Sequence, residues 1–268
     1  MYVRGFGFTN TAYVINGQPV NDMENGRVYW SNWMGLIDLT SSVQIQRGLG
    51  STSLAVPSAG GTVSVNTRAA EVDPGSGIKM SVGDNSYQKF TAFHNTGVNE
   101  LGWSSSFLLG FWQGDGWRNG MQGEGTTYAF SVGYTPRGSD HEFNFSLIGA
   151  GQWHHQAYYG TQLQDYLDYG PIQGDDFRKF NALYGEYQGE EFSILRNYYN
   201  KPLATINWDW EISSRVTLAT SFYGSAGRGG GTGLRGRGSF GVSPFRESFA
   251  EYLDDHGEWR NSDTTINW

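Results

Sequence analysis

From Ile78 onward, hydrophobic and polar positions alternate along the chain. Ile78, Met80 and Val82 alternate with Lys79, Ser81 and Gly83, and Tyr128, Phe130, Val132 and Tyr134 with Thr127, Ala129, Ser131 and Gly133. Phe143, Phe145 and Leu147 alternate with Glu142, Asn144 and Ser146, and Ala204, Ile206, Trp208 and Trp210 with Thr205, Asn207 and Asp209. Trp103, Phe107, Leu109 and Phe111 form a further apolar row, Val216, Leu218 and Phe222 a weaker one, and residues 88–97 read as strand or connection. Period two sustained over segments of about ten residues predicts strands long enough to cross a bilayer when tilted. A soluble sandwich alternates too.

Two features favour the membrane barrel. The polar faces carry mostly Ser, Thr, Asn and Gly rather than the Lys and Glu of a water-facing sheet, which suits a lumen or contact with another polar body. The connections also alternate in length. Residues 98–101, 136–140 and 213–214 are tight, whereas 114–125, 152–201 and 227–263 are long. With the first strand rising from the periplasmic side, the tight connections fall on one face and the long ones on the other. The short Asn85-Ser86 link is the exception. This is the outer-membrane pattern. Leu203-Ala204-Thr205-Ile206-Asn207-Trp208 is echoed by Asp263-Thr264-Thr265-Ile266-Asn267-Trp268, which predicts that the chain ends inside an eighth strand.

The first seventy residues have a different rhythm. Short β-prone runs at 12–15, 42–45 and 61–65 are separated by Asn-Gly, Arg-Gly and Gly-Gly turn signals. Asn16-Gly17 is a hairpin cue, because a type I′ turn needs positive φ at both central positions. Residues 49–60 read as loop or a short helical turn. The chain divides at Thr67-Arg68 into a small mixed globule and an alternating array.

Composition narrows the function. Of 268 residues, 39 are glycine and 42 are aromatic, charged residues make up only 16%, and there is no cysteine. A formal charge of −8 with pI ≈ 5.1 argues against a nucleic-acid partner. No apolar run reaches the ~20 residues of a membrane helix. Met1-Tyr2-Val3-Arg4-Gly5-Phe6 lacks the parts of a signal peptide, so by itself the chain reads as cytoplasmic or incomplete.

Chemical motifs are few. Gly231-Thr232-Gly233-Leu234-Arg235-Gly236 matches G-x-G-x-x-G, but Arg237-Gly238-Ser239-Phe240-Gly241-Val242 cannot open a helix and no βαβ unit surrounds the motif, so it reads as an external loop. His154-His155, with His94, His141 and His256, fits no ligand spacing, and Asp175-Asp176 and Asp254-Asp255 lack the ladder of a calcium loop. No nucleophile–base pairing is present, and neither an enzyme, a metal nor a cofactor is expected.

Four blocks in the first seventy residues carry a resemblance. Val3-Arg4-Gly5-Phe6, Tyr13-Val14-Ile15-Asn16-Gly17-Gln18-Pro19-Val20, Val43-Gln44-Ile45-Gln46-Arg47-Gly48, and Gly60-Gly61-Thr62-Val63-Ser64-Val65-Asn66-Thr67-Arg68 occur in one order at matching spacing. Together they resemble the C-terminal two-thirds of the plug domain of TonB-dependent outer-membrane receptors, with Asn16 in place of the commoner Asp and Gly48-Leu49-Gly50 in place of the commoner Gly-Pro. The resemblance implies a mainly β protein: a plug fragment over 1–70 and, over 77–268, the first seven or eight strands of a presumed 22-stranded transmembrane barrel with long external loops. It implies a Gram-negative outer-membrane location and uptake of a nutrient energised through the TonB system of the inner membrane. Leader, TonB-box segment and first third of a plug are not found in the 268 residues, and eight strands enclose only side chains. The expectation is therefore a receptor fragment, or one half of a split receptor, whose partners include outer-membrane lipid and the remaining barrel strands.

The resemblance also suggests roles for particular residues. Arg4 and Arg47 stand where the family has arginines that pair with barrel glutamates on later strands. Arg27, Tyr29, Trp30 and Trp33 lie on a plug excursion bounded by Asn25-Gly26 and Gly35, where aromatics can stack on a sugar or peptide ligand or pack against the wall. The Tyr29-Trp30-Ser31-Asn32-Trp33 run points to a branch that takes up larger nutrients, for which a surface substrate-binding lipoprotein is a partner. Trp117, Trp153, Tyr158 and Tyr159 flank long loops and are expected in an interfacial belt. Two other readings stay open: an accessory half-barrel that binds other outer-membrane chains without transport, and a soluble β-sandwich binding module.

Overall fold

The computed structural model of the chain describes residues 6–33, 36–48, 58–157, 161–233 and 261–267. An N-terminal sheet is built from β1 (Thr11–Ile15), β2 (Gln18–Pro19), β3 (Ser42–Arg47) and β4 (Gly61–Asn66), in the order β2-β1-β4-β3. Strands β1 and β4 run parallel and the other pairs antiparallel. The β1–β2 turn is the expected one, with Asn16 at φ 49° and Gly17 at φ 85°. Between β2 and β3 an excursion carries a 3₁₀ turn at Trp30–Trp33 and one helical turn, α1 (Leu36–Leu39). Gly61, at φ 123°, lies so close to β3 that a Cβ there would stand 2.2 Å from the Gln46 carbonyl oxygen, which explains why this position needs glycine. A 3₁₀ turn at Ala69–Glu71 leads out of the sheet.

The wall begins as an antiparallel meander: β5 (Gly75–Val82), β6 (Gln88–Asn95), β7 (Trp103–Gly114), β8 (Gly123–Tyr134) and β9 (His141–His155). After β9 come a helix, α2 (Leu163–Gln173), a 3₁₀ turn at Phe177–Lys179, and the hairpin β10 (Tyr184–Tyr187) and β11 (Glu190–Ser193). Next are β12 (Arg196–Asn200), β13 (Leu203–Ser213), β14 (Val216–Ser225) and β15 (Arg228–Gly231). The wall order is β14-β13-β9-β8-β7-β6-β5, every neighbour antiparallel, with β12 and β15 extending the β13–β14 hairpin beyond Lys201-Pro202. Pro202 has no N–H to donate, so the ladder breaks there. The ambiguous stretch 88–97 is strand over Gln88–Asn95, and the described part of 152–201 holds the end of β9, α2, a 3₁₀ turn, a hairpin and β12 rather than a plain loop. Residues 96–102, 135–140 and 214–215 connect strands at one end of the wall, and 115–122 and 156–202 at the other. The short 83–87 link joins β5 and β6 at the long-loop end, as expected.

The C-terminal echo is not an eighth wall strand. A two-residue strand, β16 (Ile266–Asn267), pairs in parallel with β10, Gly185 opposite Ile266, in a separate sheet ordered β11-β10-β16. Gly185 makes this pairing possible: a Cβ there would lie 2.0 Å from the Ile266 carbonyl oxygen. A shared six-residue pattern specifies a strand, not its neighbour.

Burial on the wall is inverted relative to a soluble sheet. Phe107, Leu109, Phe111, Phe130, Phe143, Ile206 and Phe222 are exposed, whereas Thr91, Ser104, Ser106, Thr127, Ser131, Asn144, Ser146 and Thr205 are buried. The apolar set faces outward; the small polar set faces the N-terminal sheet. Ile15, Trp33 and Leu36 pack there on Ala129, Ile148 and Leu203 of the wall. Asn16 donates to Ser146 Oγ at 2.8 Å and accepts, through its carbonyl oxygen, from Asn207 Nδ2 at 2.9 Å. The small polar faces thus receive a polar body, one of the two roles their composition allowed.

Candidate functional site

The excursion between β2 and β3 is shaped by short polar side chains. The Asp22 carboxylate accepts from the backbone N–H groups of Glu24 and Asn25, and Asn25 Oδ1 accepts from Arg27 N. Asn21 ties the base down, accepting from Tyr13 N and donating to the Thr11 and Gly26 carbonyls. Such side-chain-to-backbone bonds fix a loop without regular structure. Tyr29 and Trp30 come next, about half exposed at 46% and 49%, while Trp33 is 9% exposed. Trp30 stands edge-on to Tyr13, ring centroids 5.0 Å apart, and Asn25 Nδ2 donates to the Tyr29 hydroxyl.

The wall grips this excursion at its long-loop end. Gln152 Nε2, on the inner face of β9, donates to the Ser31 carbonyl at 3.0 Å and also to the Tyr199 hydroxyl. One turn onward, the Asp38 carboxylate of α1 meets Lys89 Nζ at 2.8 Å and Lys79 Nζ at 3.3 Å. Burial pushes the Asp38 pKa up, but hydrogen bonds and charge from Lys89, and then Lys79, outweigh it and hold the carboxyl below its usual range.

Lys89 is the register partner of Trp112, whose indole lies over Gly125; a Cβ on Gly125 would sit 2.6 Å from Trp112 Nε1. Beside it opens a recess of about 370 Å³ lined by Tyr87, Trp112, Trp117, Met121 and His154. The Trp112 Nε1 is buried with no hydrogen-bond partner among the described residues. Arg178 and Lys179 lie 5.8 and 5.7 Å from the centre of the Trp117 ring. Aromatic faces, a spare N–H donor and cations at the rim suit a polar ligand with stacking surfaces.

The predicted residues separate by depth. Tyr29 and Trp30 reach the surface of the excursion, with Arg27 beside them, whereas Trp33 is seated between sheet and wall. Arg47 ends β3 with its side chain exposed and no ion pair among the described residues. Arg4 lies outside the described residues, as do Tyr158, Tyr159, His256, Asp254 and Asp255 and the later part of the G-x-G-x-x-G run. Trp153 is on the outward face at the long-loop end. Trp117 lines the inner recess, with Arg178 and Lys179 beside its ring. His154 lines the recess, while His155 is on the opposite side of β9 against Phe192, so the pair cannot share an ion. Among the described residues no group of three or more metal-binding side chains forms.

Two ion-pair groups escaped the sequence pattern. One is Asp38 with Lys89 and Lys79. The other joins Arg68, just past β4, to the inner wall at the tight-turn end, Nη1 lying 2.6 Å from Asp209 and 3.1 Å from Glu142. A signal existed for the second: Glu142 and Asp209 are acids in rows otherwise made of small polar residues.

No protein-family model matches the chain, and no curated protein matches it. Solved structures do. The ferric-catecholate import receptor Fiu from E. coli K12, in its closed form, superposes with a TM-score of 0.61 at 16% identity, covering 86% of this chain and 31% of that one. The ferric citrate transporter FecA in its unliganded form gives 0.58 at 16%, covering 85% and 33%. The copper transporter OprC gives 0.52 at 11%, covering 83% and 30%. The chain thus spans about a third of each of these proteins and shares their fold. The resemblance to TonB-dependent receptors holds at that level: a plug-like sheet against the first strands of a barrel wall.

Proposed function

We propose that this chain forms the plug (residues 1–70) and the first seven wall strands (within 77–268) of a TonB-dependent outer-membrane import receptor, and takes no catalytic role. The inverted burial of the wall carries this reading. Exposed Phe and Ile rows would be a liability in water but are the lipid-facing side of a barrel, and the buried Ser, Thr and Asn rows line a lumen filled by the plug. The long-loop end is then external and the tight-turn end periplasmic. Tyr29 and Trp30, supported by Arg27 and anchored through Trp33, face an external vestibule next to the recess of Trp112 and Trp117. The ligand is a nutrient with planar or sugar-like faces. A surface lipoprotein that delivers such a ligand fits the same mouth. The outer edges of β5 and β14 are unpaired among the described residues, so further strands complete the wall, and Arg47 is positioned to meet acidic groups on them.

The absence of cysteine makes a direct test simple. In intact cells, a membrane-impermeant maleimide should label Tyr29→Cys and spare Leu109→Cys, whereas a lipid-soluble reagent should reach Leu109→Cys. Uptake should stop when the proton-motive force is collapsed, with surface binding retained. Labelling of both positions by the impermeant reagent, or uptake indifferent to the proton-motive force, would overturn the assignment.

A further inference from the structure

The outward face of the wall carries a groove that the import reading leaves unused. We propose that a groove at the external end of β8, β9, β12 and β15 binds the phosphate headgroup of an anionic lipid of the outer leaflet. This rests on the membrane-wall reading above. The groove has a volume of about 640 Å³ and includes Phe111, Trp153, Arg196, Tyr198, Asn200 and Arg228. Register places these side chains on the lipid-facing side. Phe111 pairs with Thr126, Tyr198 with Trp153, and Asn200 with Arg228, each in line with the outward rows of Leu109 and Phe145.

The height of the groove identifies what it meets. Phe143 belongs to an aromatic row at the periplasmic end, stacked on Trp208, with Trp208 stacked on Trp210 and Trp103 on Tyr134. Ten residues along β9 separate Phe143 from Trp153. A strand tilted by about 45° rises roughly 25 Å over that length, the height of the apolar band of an outer-membrane barrel. Trp153 and Tyr198 therefore stand at the outer interface, and the groove opens where lipid phosphates lie.

Its charge is complementary. The Arg196 guanidinium sits 4.2 Å from the centre of the Trp153 ring, and its Nε is buried with no hydrogen-bond partner among the described residues. Neither Arg196 nor Arg228 forms an ion pair among the described residues. Glu124 is the acid facing the groove, and its carboxylate accepts from Trp153 Nε1 at 2.9 Å. His155 is beside Arg196 on the same face, opposite it in register. Two guanidiniums against one engaged carboxylate leave a net positive, half-desolvated site, and Arg presents the planar fork that suits phosphate. Small residues keep the groove open: Gly151 and Gly230 lie on this face, and a Cβ on Gly230 would come within 2.8 Å of the Tyr198 hydroxyl. Acyl chains would continue down the apolar rows below.

The test uses the protein extracted from its own membrane in mild detergent and exchanged into bicelles of phosphatidylcholine with or without bisphosphorylated lipid A. Native mass spectrometry should show retained lipid A on the parent protein. Arg196→Gln with Arg228→Gln should reduce retention by roughly thirtyfold, about one factor of five or six per charge. Arg215→Gln, at the opposite end of the same hairpin, should leave it unchanged, and millimolar inorganic phosphate should not compete. Equal loss with Arg215→Gln, retention unchanged in the double variant, or displacement by inorganic phosphate would each overturn the proposal. If the double variant does not assemble, Arg196→Lys with Arg228→Lys decides: retained lipid supports the site and full loss without misassembly refutes it. Heat-modifiable migration and ligand uptake, read in parallel, show separately whether the barrel reading itself has failed.

Discussion

Asn16 and Ser146, 130 residues apart, share a buried hydrogen bond in which Asn16 Nδ2 donates to Ser146 Oγ at 2.8 Å. The same amide donates to Thr67 Oγ1 and accepts from Thr67 N, so one side chain joins the β1–β2 turn, the exit of β4 and the inner wall. Asn is suited to this role twice over. It tolerates the left-handed φ of 49° and supplies both donor and acceptor. Asn16→Ala should leave Thr67 N without its acceptor and Ser146 Oγ with Thr205 as its remaining partner, and cost about 1–3 kcal/mol. Thermal unfolding in detergent should show the loss, and protease should reach the plug sooner. Asn16→Asp, which keeps the acceptor and the turn preference, should cost less.

At the tight-turn end of the wall, Arg68 holds two carboxylates that face each other across the β9–β13 pair, Glu142 opposite Asp209. Removing the cation leaves like charges directly opposed, which is unfavourable on its own account. Arg68→Met should destabilise plug docking by about 1.5–3 kcal/mol, the range for charged hydrogen bonds. Adding Glu142→Gln and Asp209→Asn to that variant should recover part of the loss. No recovery in the triple variant would mean that Arg68 acts through packing alone.

The Asp38 contact has a predictable pH dependence. Its pKa is lower in the folded protein than in the unfolded chain, so folding favours the ionised form. The stabilisation is therefore complete above the unfolded carboxylate pKa of about 3.9 and disappears as pH falls through the lower folded value. Plug release, tracked by protease sensitivity or Trp fluorescence, should steepen below pH ~4 in the parent protein. Asp38→Asn should flatten that limb and leave behaviour at pH 7 to 8 weakened but pH-independent.

The tight link between β5 and β6 carries a small strain. Asn85 and Ser86 both have positive φ, 57° and 56°, the type I′ geometry that Asn-Gly satisfies best. Ser86→Gly should relieve the side-chain penalty and raise stability by up to about 1 kcal/mol, read as a higher Tm. A lower Tm would show that the Ser86 side chain compensates elsewhere.

Alternation made most of the wall legible, because a sheet with one apolar and one small polar face repeats one rule along every strand. Where that rule lapsed, the sequence was silent. Residues 88–97 read ambiguously because His94, Asn95 and Gln88 interrupt the apolar row near the strand ends, yet backbone pairing with β5 and β7 holds them in the sheet. The unit after β9 was hidden because its core is small, Phe180 with Ala182, Tyr166 and Tyr169, too few residues to set a period. The C-terminal echo misled because a strand motif does not name its neighbour. At the site, composition found the aromatic excursion but could not tell Trp30 from Trp33. Both are Trp on a Gly-bounded loop, and only the position of Ile148 and Leu203 behind one of them decides which is buried.

That difference yields the sharpest prediction. Trp33 is buried with Ile15 and Leu36 against Ala129, Ile148 and Leu203, so Trp33→Ala opens a cavity at the plug–wall boundary. A loss of about 3–5 kcal/mol is the usual scale, seen as poor assembly or early plug unfolding. Trp30 is half exposed and rests edge-on against Tyr13, so Trp30→Ala removes less buried surface and should assemble normally. If Trp30 captures ligand, that variant should instead weaken binding by about 1–2 kcal/mol, five- to thirtyfold in Kd. Tyr29→Phe separates stacking from hydrogen bonding: it keeps the ring and removes the hydroxyl that accepts from Asn25. Assembly measured by heat-modifiable migration and affinity measured on intact cells give independent readouts. Both tryptophan variants binding as the parent does, with Trp33→Ala also assembling as the parent does, would remove the vestibule role and the packing argument together. Weakened binding in Trp30→Ala with intact assembly would place the ligand on the indole.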